Sequence, residues 1–156
     1  MIELTEYAES SDPDVEFDEY VPVTATWPEA TEFLQPPVYV RCVEKHRLLE
    51  LKFNPSTRNL VELVLVNAPG LEIEHRKLSG IQDAAVRARW TGNASGGEFD
   101  RLTVTALEDF LLVNFSADLA VRWIGQGAVV LGTTESGSVG AIAVRWKTSE
   151  RKAVLG

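Results

Sequence analysis

Three observations predict a mainly β, antiparallel chain. Apolar residues recur at every second position through most of the sequence, the runs carrying them are short, and turn residues join them without room for long crossovers. About ten short strands and one short N-terminal helix follow from this pattern, arranged as an antiparallel β-sandwich or a curled, barrel-like sheet. The alternation leaves those two architectures open.

Length and composition agree with that class. The chain has 156 residues, 45% of them hydrophobic, with four Trp, six Phe and three Tyr. That is enough to bury one core without disulfides or a structural metal. Cys42 is the single cysteine and sits in the apolar run from Val38 to Val43, so it is expected as a small buried hydrophobe in a reducing compartment.

The first element is an acidic leader. Residues 1–40 hold ten acidic side chains and no Lys or Arg, the first base being Arg41. The other 13 acids are outweighed by all 15 bases, so a nearly neutral body of net +2 follows a segment of net −10. This asymmetry divides the chain into an acidic arm, residues 1–36, and a β domain, residues 37–156. Eight of the acids fall within the first twenty residues: Glu3, Glu6, Glu9, Asp12, Asp14, Glu16, Asp18 and Glu19. Like charges closer than a Debye length of about 8 Å repel, so the leader is either a solvated terminus or an arm that engages something basic.

The helix is expected next. Thr26-Trp27-Pro28-Glu29 has capping-box spacing with Pro in the first turn, and Trp27, Ala30, Phe33 and Leu34 follow near helical spacing until Pro36-Pro37. The period then changes to two. Val38, Val40 and Cys42 share a face, and Leu49, Leu51 and Phe53 alternate with Glu50 and Lys52. The turn Asn54 to Asn59 leads into Leu60 to Val66, so residues 48–66 read as a hairpin. Leu71 to Leu78 alternates likewise after Ala68-Pro69-Gly70. Residues 79–90 fit a helix or a strand, with a strand favoured from Ala85 to Thr91. Thr91 to Gly97 reads as a flexible loop. Leu102 to Leu107 and Phe110 to Phe115 follow as two β-prone runs around Glu108-Asp109. Leu119 to Ile124, Ala128 to Thr133 and Val139 to Trp146 then form a three-stranded meander.

Ala-Val-Arg occurs at 85–87, 120–122 and 143–145. Alternation puts Val121 and Trp123 on the face opposite Arg122, and Val144 and Trp146 opposite Arg145, which predicts tryptophan inside and arginine outside. Were those arginines adjacent across strands, they would form a basic strip for the leader, a carboxylate or a phosphate.

The recognisable catalytic and cofactor patterns are missing. The two histidines, His46 and His75, are far apart, with no HExxH or paired CxxC to hold zinc. Asp12, Asp14, Glu16 and Asp18 alternate as in a calcium loop, yet Phe17 and Val23 stand where an EF-hand needs glycine and a bidentate carboxylate. No GxSxG supports a serine nucleophile, and Gly125-x-Gly127 and Gly137-x-x-Gly140 fit turns better than phosphate loops. Glu108 and Asp109, as neighbours, point to opposite faces of a strand and make a poor glycosidase pair. The acidic pI of 4.8 argues against nucleic-acid binding. No run approaches the roughly 18–20 apolar residues that span a bilayer, and no signal-like opening is present. No cofactor, no metal, no membrane association and a cytoplasmic location are therefore expected.

The β-rich layout after Pro37, with the hairpin LELKFNPSTRNLVELVLVNAPG ending at Gly70 and AVRWIGQGAVVLGTTESGSVGAIAVRW at 120–146, resembles small bacterial immunity proteins of contact-dependent or polymorphic toxin systems. The resemblance implies inhibition by binding, with no chemistry. It fits an acidic protein steered to the basic cleft of a toxin nuclease. The expected function is thus a non-enzymatic, immunity- or inhibitor-like protein that occludes a basic protein partner, with Asp12, Asp14, Glu16, Asp18 and Glu19 as the partner-binding residues. A small-molecule-binding β domain is the alternative, and an enzyme whose acids meet only in three dimensions is the third reading.

Overall fold

The period-two segments become strands in which buried and exposed residues alternate, as in the pattern from Val38 to Cys42. The computed structural model describes residues 1–6, 12–31 and 33–156. The leader supplies β1 (Ile2–Glu6), β2 (Asp14–Phe17) and β3 (Val23–Thr26), followed by a 3-10 turn at Pro28–Thr31. Next come β4 (Val38–Glu44), β5 (Arg47–Phe53), β6 (Leu60–Asn67) and two short strands, β7 (Glu72–Ile73) and β8 (Ile81–Gln82). The strands β9 (Val86–Trp90), β10 (Gly97–Phe99), β11 (Thr103–Ala106) and β12 (Phe110–Asn114) precede the meander β13 (Arg122–Ile124), β14 (Val129–Thr133) and β15 (Val139–Arg145). Helix α1 (Thr148–Leu155) follows.

These strands form three sheets. A six-stranded sheet has the order β10-β4-β5-β6-β3-β2, a seven-stranded sheet the order β7-β11-β12-β15-β14-β13-β8, and β1 pairs with β9 as a two-stranded ribbon. Isolated bridges Asn59↔Arg89 and Glu3↔Ser138 tie the ribbon to the start of β6 and of β15, one in each large sheet. Leu49, Leu51 and Leu63 of the first sheet and Val104, Leu111, Val113 and Ile142 of the second belong to one buried apolar cluster. The opposite face of the seven-stranded sheet, with Phe110, Val130 and Ala143, is covered by Leu78 and Ile81. The segment from Arg76 to Gly80 therefore serves as a lid on that face. Asp109 Oδ1 pins it by accepting from the Leu78 N–H at 3.0 Å.

Some expectations are narrowed and others corrected. Of the two architectures left open, no sheet closes into a barrel. The described strands number fifteen against the expected ten, because β1, β2, β3, β8 and β10 lie in segments without a long apolar alternation. The pairing is predominantly antiparallel, with three short exceptions: β10 lies parallel to β4, β7 to β11, and β8 to β13, over two or three residues each. Other strands of the fold make these crossovers, so no dedicated helical connection is needed.

The expected N-terminal helix is one 3-10 turn, and the α-helix stands at the other end. Thr26 remains a strand residue because the Trp27 N–H donates to Val61 O across the sheet, and the Ala30 N–H turns back to Trp27 O at the start of the 3-10 segment. Glu32, within the span expected to be helical, lies outside the described residues. In α1, Glu150 accepts from the Lys147 N–H at 2.9 Å and Gly156, at φ 87°, ends the helix. Lys147 at the N-cap hides this signal in the sequence, since that position favours Ser, Thr, Asp or Asn.

Other elements agree with their patterns. β5 and β6 form the expected hairpin, β9 occupies the ambiguous stretch as a strand, and β13, β14 and β15 are the meander. The β4–β5 connection was less legible. Lys45 and His46 both have positive φ, 49° and 69°, in a two-residue turn where Asn-Gly would be the usual sequence. Asn67 Nδ2 donates to His46 O at 3.0 Å and helps hold that conformation.

Candidate binding surface on the leader hairpin

β2 and β3 pair antiparallel from Asp14↔Thr26 to Phe17↔Val23, and β2 is the outermost strand of its sheet. Its alternation sorts the side chains. Val15 and Phe17 are half-buried against the core, while Asp14 and Glu16 are exposed. The Phe17 ring lies 5.6 Å from that of Trp146, so the strand is anchored by its inner face. Asp14 and Glu16, two residues apart on one face, have Cα atoms about 7 Å apart. Their fields add within one Debye length.

The turn continues the charge. Asp18 Oδ1 accepts from the Tyr20 N–H at 2.7 Å, and the Asp18 N–H donates to Pro22 O at 3.4 Å. This local closure holds Asp18, Glu19 and Tyr20 out in solvent, all exposed. Asp12 is exposed too, but its Oδ1 accepts from the Ala128 N–H at 3.3 Å, so it ties the start of β2 to the β13–β14 turn. The structure thus places Asp14, Glu16, Asp18 and Glu19 on one hairpin, with Asp12 at its base. Glu9 lies outside the described residues. Among the described residues, the ion pairs are Arg41–Glu50, Arg47–Glu44, Arg76–Glu74 and Arg87–Glu29, none of which uses these five carboxylates.

The basic strip does not form. Arg122 is in register with Thr133 and, beyond it, Val139. Arg145 lies six residues further along β15, about 20 Å away at strand rise. Arg145 is exposed, with its guanidinium 4.6 Å from the Phe110 ring centre, and Val144 and Trp146 are buried as expected. Arg87 departs from the rule of arginine outside. Its side chain is 3% exposed, its Nη1 lies 2.6 Å from Glu29 Oε1 and 3.2 Å from Leu60 O, and its guanidinium stacks 5.2 Å from the Trp27 ring. A cavity of about 30 Å³ beside it, lined by Trp27, Leu60, Arg87 and Leu131, has room for a water or two.

The remaining sequence candidates are scattered. His46 is exposed in the β4–β5 turn, and His75 is exposed beyond β7. Cys42 is buried, and desolvation pushes its thiol up to about 12, which keeps it protonated and unreactive in the folded protein. Glu108 and Asp109 occupy the β11–β12 turn. Among the described residues, no three His, Cys, Asp or Glu side chains gather as a metal-binding group, and no helix is long and apolar enough to cross a membrane.

Sequence reasoning missed Tyr20. It is 80% exposed at the hairpin tip, directly after the acidic run. The signal was available as the apolar trio Tyr20-Val21-Pro22 set between charges and a strand. Comparison with known proteins finds no matching family model and no similar curated protein.

Proposed function

We propose that this protein works by binding: an immunity- or inhibitor-like protein that neutralises a basic protein partner, such as a toxin nuclease, by occlusion. We read the two large sheets as layers of a sandwich that holds the leader hairpin rigid. The observation that carries the proposal is the leader hairpin itself, with Asp14, Glu16, Asp18 and Glu19 outward and engaged in no ion pair among the described residues. Such a surface raises the encounter rate with a basic partner and is screened by salt. An anchored strand presents its charges with less ordering cost than a free tail would.

The gene beside that of this chain is expected to encode a toxin, and its basic domain is the partner to assay. Association should slow as salt rises. A variant carrying Asp14→Asn, Glu16→Gln, Asp18→Asn and Glu19→Gln should bind at least about tenfold more weakly. An affinity unchanged in that variant would remove the hairpin from the mechanism.

A further inference from the structure

The tip of the leader hairpin meets residues of the other large sheet. β2 is the edge of one sheet and β7 the edge of the other, and the β2–β3 tip shares the wall of one groove with Ile73 of β7. A groove of about 340 Å³ opens there, with Tyr20, Pro22, Leu71, Ile73, Val154 and Leu155 among its walls. Tyr20 is 80% exposed and Ile73 is 53% exposed, so two large apolar side chains face solvent at one concavity. Isolated exposed apolar residues are ordinary on protein surfaces; two lining one groove are not scattered in that sense.

The charge in the groove wall itself has one sign, the α1 bases Arg151 and Lys152 lying outside that wall. Among the described residues, Glu19 is the single charged side chain in its wall, and α1 contributes only Val154 and Leu155. Asp18 adjoins it on the hairpin, and Glu72, exposed, adjoins Ile73 on β7. A second copy of this chain would bring the same carboxylates against these, which electrostatic repulsion opposes. A segment with cations flanking an apolar side chain satisfies both features together.

We propose that this groove seats the apolar anchor of a partner's basic segment, a Leu, Phe or Trp packed against Tyr20 and Ile73, while neighbouring Lys or Arg side chains meet Glu19, Glu72 and the outer face of β2. The inference rests on the reading of the acidic hairpin as a partner surface and adds an apolar half to it. Tyr20 is the expected hot spot, because a large, stiff aromatic lining a concave patch loses little entropy on binding.

Selection from a random dodecapeptide display library against the purified full chain tests this. Recovered peptides should carry Lys or Arg within a few positions of a large apolar residue. A synthetic copy of one should bind Tyr20→Ala at least about tenfold more weakly than the parent. Ile73→Ser is the independent second variant, and matched circular dichroism and urea midpoints establish that both remain folded. Basic peptides that lose affinity when Asp14, Glu16 and Glu19 are neutralised, but bind Tyr20→Ala and Ile73→Ser normally, would overturn the groove and leave the acidic surface standing. Uncharged apolar peptides whose binding ignores salt would overturn both readings. Recovery of no peptide, or self-association of the chain that Tyr20→Ala abolishes, would overturn the groove proposal.

Discussion

β2 and β9 carry the same alternation of charged and apolar residues, yet their charges meet opposite fates. Along β2, Val15 and Phe17 turn inward and Asp14 and Glu16 stand in water. Along β9, Ala88 and Trp90 turn inward, and Arg87, on the opposite face, is buried as well. The difference lies in what covers the second face. The segment from Trp27 to Glu29 lies over Arg87, whereas among the described residues the outer face of β2 has no such cover. Strand periodicity tells which residues share a face, and a distant segment decides whether that face is wet. A charge left outside is free for a partner; a charge enclosed with a counter-ion is a structural tie.

The largest way to break this contrast is to remove the Glu29 carboxylate beside Arg87. Glu29→Ala deletes a carboxylate held 2.6 Å from a guanidinium that is 3% exposed and should lower stability by about 3 kcal/mol in urea unfolding. Arg87→Met should cost less, about 1 kcal/mol, because Glu29 is 25% exposed and can turn to water. Equal losses for the two would mean that burial asymmetry does not govern the pair.

Phe17→Ala tests the inner face of β2. Losing a half-buried ring in contact with Trp146 should cost about 2 kcal/mol, with quenched or shifted tryptophan fluorescence as a second readout. Glu44 gives a smaller, pH-dependent effect. The Leu102 N–H, donating to its Oε2 at 3.1 Å, holds its carboxyl below the usual value of 4.5, and Arg47, Lys45 and Arg101 add to this. A depressed folded-state pKa stabilises above the unfolded value, and that contribution is lost as pH falls through the folded one. The urea midpoint should therefore drop below pH 4.5, and Glu44→Gln should flatten that drop. The smallest effect belongs to Glu16→Gln, within about 0.5 kcal/mol of the parent at neutral pH. A larger loss there would show that the outer face of β2 is as structural as that of β9.

What was legible in the sequence divides along the same line. The runs from Val38 to Val66 and from Leu102 to Trp146 could be read because one or both faces are buried and the alternation is long. β2 and β3 were harder. They are four residues each, and the acids of β2 read as a solvated tail when their apolar partners, Val15 and Phe17, are too few to set a period. The carboxylates of the candidate surface were found from charge alone. The groove beside them was not, because Tyr20, Ile73 and Val154 are far apart in sequence and meet only where two sheet edges and a helix end converge. The burial of Arg87 was illegible for the same reason, since Glu29 lies 58 residues away.

The ribbon of β1 and β9 has a consequence for how the chain is born. Ile2 pairs with Trp90, and Glu3 bridges Ser138. At ribosomal speeds of about 5–20 residues per second, the first strand waits several seconds for its neighbour and longer for the other contact. Until then its backbone edge is open in a nascent polypeptide, with Glu3 and Glu6 as the charges that discourage adventitious β-pairing.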